Sequence, residues 1–405
     1  MSKKAMRILT LVWAFAVVAM ASSTVTLLLA GRTAGSRWVT QEQYDTIERY
    51  DRLEKVRTAL TDRYYMEPDD DQLMLGAVRG MTAAVKDPYT VYYTPEDLKR
   101  YNENQNGAYH GIGVLIQCTD EGYIQVVRVY PGTSAEAAGL QERDLITAVD
   151  GESISGADGR ALNNAAIRLS GADGTAVRLT VWRDGRKLEL EARRGDVSVD
   201  FANWQMLDGD IGYLSVMQFS GNASARFAEA LEDFRAKGAK GMIIDLRNNP
   251  GGLLDQAVAM ADRILPKGVI VYTQERSGAR QDFYSDEEYY DIPLVVLVNG
   301  NSASASEILA AAVQCFDRGT VMGTTTYGKG VVQTLMTFPS DGAGLQLTTA
   351  CYYDGSGRSI HGTGVTPDVA VPFEGDWLPR DPDPAADNQL AAAIEALRAK
   401  IDGRE

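Results

Sequence analysis

Two short segments in the second half of the chain, Met242 to Leu246 (MIIDL) and Leu294 to Val298 (LVVLV), are apolar at nearly every position. A strand facing water on one side alternates apolar and polar residues. An unbroken apolar run suits a strand buried on both faces, as parallel strands are when helices cover the sheet. The helix-period stretches ASARFAEALEDFRAKG, GLLDQAVAMADRIL and SEILAAAVQCF lie before, between and after these segments and can supply that cover. With IGYLSV as a further strand, the region beyond Asp200 reads as a layered α/β domain joined mainly by right-handed crossovers.

The period changes upstream. From Tyr109, the runs GIGVLIQ, YIQVVRVY, DLITAVDG and AVRLTVWRDG are short, apolar or alternating, and bounded by Gly and Asp turns, with one helix-like stretch, DGRALNNAAIRLSG. They predict a small, mostly β module over residues 108–197, inserted between a helical region at 40–107 and the α/β domain at 198–375. The segment EGDWLPRDPDPAADNQL is rich in Pro and Asp and predicts a linker, followed by a terminal helix over Leu390 to Ile401, within residues 376–405.

Residues 1–35 form a different kind of segment. Lys3, Lys4 and Arg7 precede an uncharged stretch from Ile8 to Gly31, and at about 1.5 Å per helical residue this spans the roughly 30 Å hydrocarbon core of a bilayer. The triplet AMA at residues 19–21 resembles a signal-peptidase site, but the apolar character resumes through Val25 and Leu27 to Leu29, which favours an uncleaved anchor over a secreted product. Either way the positive flank stays cytoplasmic and the bulk of the chain is expected outside. A formal net charge of -15, with no basic run, argues against nucleic acid as a partner. The three cysteines, Cys118, Cys315 and Cys351, cannot all pair within one chain, and their spacing suggests no metal site.

The stretch NGNSASASEILAAAV, residues 299–313, sets Ser302, Ser304 and Ser306 at alternate positions before a helix. Ser304 and Glu307 have the spacing of a capping box, which by itself explains a serine there. At about 100° per residue, Ser304 shares a helical face with Ile308 and Ala312, whereas Ser306 points elsewhere and Ser302 precedes the helix. Ser304 is therefore the candidate nucleophile, placed where free N–H groups and the positive helix end stabilise developing negative charge. It needs a base. The two histidines, His110 beside GIGV and His361 in SIHGTG, read better as structural or solvated residues. Lys329, between two glycines in TTTYGKGVVQTLMTF, can serve if burial lowers its pKa. Strand alternation from Lys329 through Val331 would place Gln333 on the same face to hold the amine. The Gly pair in DLRNNPGGLLDQA permits close backbone approach to an oxyanion.

These pieces occur together with DPYTVYYTPED, GIGV, PGTSAEAAGLQERDLITAVDG, GYLSVMQF and GRSIHGTGVTPDV in one order. The chain thus resembles the carboxyl-terminal processing proteases, serine peptidases with a Ser-Lys dyad and an embedded PDZ domain, over roughly residues 45–375. The resemblance implies a crotonase-like or ClpP-like layered α/β peptidase core with an inserted PDZ domain, flanking helices and an N-terminal transmembrane helix. It assigns Ser304 as nucleophile, Lys329 as general base and Gln333 as its orienting partner, with the backbone of Gly251 and Ala305 as oxyanion donors. It further implies that Gly111, Ile112, Gly113 and Val114 bind the free C-terminus of a protein or peptide substrate, that the PDZ domain gates proteolysis, and that the helical ends support a homodimer. No metal or organic cofactor is required. Gly323–Thr324 and Asn301 depart from the family's commoner residues without touching the dyad. A PDZ-bearing adaptor with a dead peptidase domain would lack Ser, Lys or Gln, and all three are present. An α/β-hydrolase acting through His361 would show a Gly-x-Ser-x-Gly elbow, which Ser304 lacks.

Overall fold

The computed structural model describes residues 3–33, 39–105, 109–119, 121–154, 160–197, 200–375 and 381–403. The chain divides into two compact units, residues 1–78 and 79–405.

The first unit is helical. The helix Lys3–Thr33 is long and apolar enough over Lys3–Leu27 to cross a membrane. Gln41–Arg63 begins at Thr40, whose hydroxyl accepts from Gln43 N while the Gln43 side chain accepts from Thr40 N, a reciprocal capping box. This helix has no buried residue, and its Arg57 pairs with Glu54 and, at 2.8 Å, with Asp70.

In the second unit, the strands Val114–Cys118, Ile124–Val129, Leu145–Val149, Ala176–Arg183 and Arg186–Arg193 form an antiparallel sheet in that spatial order. Helix Arg160–Leu169 packs on it through Ala161, Ala165 and Leu169, over a core that includes Ile112, Val126, Ile146 and Leu179. The module leaves and rejoins the chain through Tyr109–Gly111 and Gly195–Val197, which pair antiparallel with each other. Both connections of the insertion are thereby held in one two-stranded sheet.

The α/β region is a six-stranded sheet in the order Ala202–Leu207, Ile211–Val216, Gly241–Asp245, Leu294–Val298, Thr320–Gly323, Val369–Ala370. The first pair is antiparallel and every later pair parallel. The two segments that lack alternation are its centre, and every residue of both strands is buried. Period two decides which layer each side chain joins. Ile244 and Val296 pack with Phe227, Phe234 and Leu309 under the helices Ala223–Ala236, Leu254–Asp262 and Ala305–Cys315. Ile243, Val295 and Leu297 pack with Leu390, Ile394 and Leu397 of the terminal helix Asn388–Ile401.

A second, wholly antiparallel sheet runs Val91–Tyr93, Gly344–Asp354, Gly268–Glu275, Arg280–Ser285, with Val331–Thr337 also paired to Gly344–Asp354. The sequence reading did not anticipate this sheet. Nor did it anticipate that Val91–Tyr93, in the stretch read as helical, would add a strand to it.

The terminal helix is fastened by charge as well as by packing. Arg247, two residues after strand Gly241–Asp245, bonds Asp245 at 2.6 Å and Asp387 at 2.8 Å, and Asp387 caps the terminal helix by accepting from Leu390 N. Tyr213 Oη donates to Asp245 at 2.7 Å. Burial pushes the Asp245 carboxyl up, but Arg247 and Tyr213 outweigh it and hold the group below the usual carboxylate range. Removing the arginine leaves two buried carboxylates without a counter-charge, so Arg247→Ala should lose about 3–5 kcal/mol of stability, read by denaturant unfolding. Because the folded pKa of Asp245 is depressed, its contribution is present above the unfolded value of about 4 and is lost as pH falls through the folded one, a dependence Arg247→Ala should flatten.

Candidate active site

Hydrogen bonding separates the three serines. Ser302 Oγ donates to Leu246 O at 2.8 Å and accepts from Asn299 N at 2.9 Å, and Ser306 Oγ donates to Asn249 O at 2.9 Å. Both side chains are fully buried and tie the turn after strand Leu294–Val298 to the turn after Gly241–Asp245. Ser304 makes no such tie. It is the N-cap of helix Ala305–Cys315 with φ 54° and ψ -113°, a conformation that costs a non-glycine residue about 1–3 kcal/mol.

Helical phase does not single out Ser304. Ser304 lies outside the helical φ/ψ region, and residues Ala305 to Val313 are all buried, so no single docking face distinguishes it. Strain and freedom from the loop ties distinguish it instead.

Glu307 is buried without exposure, and its carboxylate collects four donors. Ser304 N and Lys329 N donate to Oε2, each at 2.8 Å, and Gly328 N and Thr326 Oγ1 donate to Oε1 at 2.6 and 2.5 Å. One oxygen thus holds the backbones of both Ser304 and Lys329. A cap was the expected role of Glu307, and the grip on the Lys329 loop is the part that sequence reasoning missed.

The Lys329 loop is laced on its other side to the SIHGTG segment. Gly362 N donates to Gly328 O at 2.9 Å, and a Cβ on Gly330 would lie 2.5 Å from His361 N. Only glycine allows that approach. His361 contributes its backbone here while its side chain is exposed. The side chain of His110 lies outside the described residues.

Lys329 precedes the strand Val331–Thr337, and the pairing register shifts between Val332 and Gln333. The expected alternation from Lys329 to Gln333 is therefore broken by a bulge. The Gln333 amide donates to Val331 O at 3.3 Å and Thr348 Oγ1 at 3.4 Å. Lys329 Nζ stands 4.3 Å from the centroid of the Tyr89 ring. Among the described residues no hydrogen bond joins Nζ to Ser304 Oγ or to Gln333. Burial pulls the Lys329 pKa below the usual lysine range, and the carboxylates of Asp87 and Glu307 partly oppose that pull.

Gly251 has φ 98°, and a Cβ there would lie 2.8 Å from Ser304 Cβ and 3.0 Å from Ala305 N. The Gly pair therefore brings its backbone against Ser304. The Gly251 N–H donates to Asn249 Oδ1 at 2.8 Å. Asn249 is fully buried, and its amide nitrogen donates to Val216 O. Ala305 N, as the first N–H of its helix, has no intrahelical acceptor.

Gly111 to Val114 are buried at the start of strand Val114–Cys118. The carbonyls of Ile112 and Gly113 accept from Ala135 N and Tyr130 N at 2.8 and 3.0 Å, so the segment YPGTSAEA fixes the loop. Strand Val114–Cys118 is an edge of its sheet, paired only with Ile124–Val129 among the described residues, and helix Arg160–Leu169 packs beside it. An edge strand beside a helix can accept an extended peptide by strand addition.

The family model for peptidase family S41 matches residues 210–371, that for the PDZ domain residues 125–183, and that for the N-terminal domain of the activating protease CtpB residues 14–97. The chain is 38% identical over 345 residues to the carboxy-terminal-processing protease of Bartonella bacilliformis, covering 82% of this chain and 76% of that one. It is 34% identical over 356 residues to the carboxy-terminal processing protease CtpA of Bacillus subtilis, covering 87% and 75%. Among solved structures, the photosystem II D1 C-terminal processing protease superposes with a TM-score of 0.61 at 29% identity, over 82% of this chain and 94% of that one. The chain therefore belongs to the carboxy-terminal processing proteases, serine peptidases of family S41 that carry a PDZ domain.

Proposed function

We propose that this peptidase is an extracytoplasmic, membrane-tethered endopeptidase that captures substrate C-termini through residues 108–197 and cleaves by a Ser304-Lys329-Gln333 mechanism. The observation that carries the reading is the shared Glu307 oxygen, which fixes the backbones of a strained, loop-free serine and a partly buried lysine side by side. In the first step Lys329 Nζ, as the neutral amine, takes the Ser304 hydroxyl proton while Oγ attacks the scissile carbonyl. The tetrahedral oxyanion is received by Gly251 N and Ala305 N. Lys329 then returns the proton to the leaving amine; water, deprotonated by the same lysine, attacks the acyl-enzyme, and the proton passes to Ser304 Oγ as the C–Oγ bond breaks and the acid product leaves.

Reaching that arrangement takes three local changes. Lys329 must leave the Tyr89 ring for Ser304 Oγ, Gln333 must turn toward the amine, and Gly251 N–H must exchange Asn249 for the oxyanion. On this reading residues 198–375 are a crotonase-like layered core. Residues 1–35 are the anchor with the bulk of the chain outside, and the helical region 40–107 and the C-terminal stretch 376–405 support a homodimer.

Ser304→Ala and Lys329→Ala should each lower kcat for peptide cleavage by about 10^4-fold or more while leaving the melting transition in place, and His361→Ala should cleave normally. Full activity in either dyad variant would end the assignment. Since the base must be neutral, kcat/KM should rise with pH through the Lys329 pKa, with a midpoint below the ordinary lysine value of about 10.4. Amidating the C-terminus of a peptide substrate should raise KM by roughly tenfold if a charge-assisted contact at Gly111 to Val114 is lost, and equal rates for acid and amide would count against capture there.

A further inference from the structure

The segment DPYT, residues 87–90, stands out in the sequence without a role in the mechanism above. It forms a tight turn in which Tyr89 N and Thr90 Oγ1 donate to the two oxygens of Asp87, at 3.0 and 2.7 Å. The turn is docked on strand Gly344–Asp354. Gln346 Nε2 donates to Tyr89 O at 3.2 Å, Thr348 N donates to Thr90 Oγ1 at 3.4 Å, and Val91–Tyr93 continues as a paired strand. Thr348 also receives the Gln333 amide, so turn and glutamine meet on one residue.

Held this way, the turn presents the Tyr89 ring face to Lys329 Nζ at 4.3 Å, with the Asp87 carboxylate acting on the same ammonium. The Tyr89 hydroxyl pairs with Tyr327, two residues before the lysine. We propose that Asp87 and Tyr89 are positioning residues for Lys329, forming a docking station that holds its ammonium beside the turn and must release it before Ser304 can be deprotonated. This rests on the reading of Lys329 as the base.

The chemistry of the station is selective for the protonated lysine. A ring quadrupole and a carboxylate both attract an ammonium and have no comparable hold on a neutral amine. Loss of the proton therefore releases the side chain in the same step that makes it a base. The other carboxylate acting on Lys329 is Glu307, occupied by three backbone N–H groups and the Thr326 hydroxyl, while the nearest titratable residues of the neighbouring loops are Tyr327 and His361, the latter meeting Gly330 through its backbone. Glu307 and His361 make no contact with the Asp87 turn, and Tyr327 meets it through the Tyr89 hydroxyl, which Tyr89→Leu and Tyr89→Phe both remove, so the comparison of those two variants isolates the ring.

The test is the pH profile of kcat/KM together with the Lys329 titration, followed by NMR of carbon-labelled lysine in a Ser304→Ala background. Asp87→Asn should move the acid limb and the lysine titration down by roughly one pH unit. Tyr89→Leu should move both in the same direction by roughly half a unit, and Tyr89→Phe, which keeps the ring, should leave the midpoint where it was. If Asp87→Asn fails to fold because the turn is lost, Tyr89→Leu against Tyr89→Phe still decides the matter. A midpoint unmoved by Tyr89→Leu, with cleavage still dependent on Lys329, overturns the inference. Cleavage that survives Lys329→Ala overturns instead the reading on which it rests.

Discussion

The carboxylate of Glu307 is the interaction on which the site depends. An ionised carboxylate taken fully out of water costs several kcal/mol unless its oxygens are satisfied. Here three backbone N–H groups and one hydroxyl satisfy them. The bonds are charge-assisted and therefore stronger than neutral ones. The charge also sits in the first turn of helix Ala305–Cys315, where the positive end of the helix favours it. The consequence is geometric: the serine turn and the lysine loop come from different parts of the chain, and the requirement to satisfy one buried charge sets where each backbone runs.

The sheet supplies the rest of the framework. Strands Ile211–Val216, Gly241–Asp245, Leu294–Val298 and Thr320–Gly323 are parallel, so the turns that follow them gather at one end, as ligand-binding turns do in open α/β sheets. Side chains lock the turns to one another. Ser302 and Ser306 reach the turn of Leu246 and Asn249, Asn299 Nδ2 bonds Asn248 Oδ1 at 2.8 Å, and Tyr327 N bonds Ser302 O at 3.0 Å. Two of the three serines thus serve the scaffold. Their work holds Ser304 in a backbone conformation it would not adopt alone.

Much of this was legible in the sequence because local patterns had local causes. Unalternating apolar runs predicted the buried central strands, the Ser-x-x-Glu spacing predicted the helix start, and the glycine pair predicted a close backbone approach, which Gly251 makes. What was not legible depends on long-range pairing. Strand Val91–Tyr93 joins a sheet with residues some 250 positions away, and no periodicity in three residues announces that. The bulge before Gln333 is likewise a property of the strand pair and not of the strand. Helical phase chose Ser304 on a premise the backbone does not satisfy, since a cap residue at φ 54° is not on the helical surface at all.

The arrangement around Ser304 also bears on how activity would be controlled in the proposed mechanism. Each reacting group has a substitute partner: Lys329 the Tyr89 ring, Gln333 Thr348, and Gly251 N–H the Asn249 side chain. A neutral hydrogen bond is worth about 0.5–1.5 kcal/mol net and a partly desolvated cation–π contact about 1–2, so the three together weigh a few kcal/mol. Differential binding of about 1–3 kcal/mol is the usual scale of coupling between sites, enough to tip such a balance substantially. Both connections of the inserted module are held in the single pair Tyr109–Gly111 and Gly195–Val197, so in the proposed mechanism a shift of the module would reach the peptidase core through that pair. One of those connections follows helix Pro95–Gln105, which leads back to the DPYT turn that holds Lys329. A substrate bound at the edge strand Val114–Cys118 would act on the lysine along that path if its binding favours the position in which the turn lets the ammonium go.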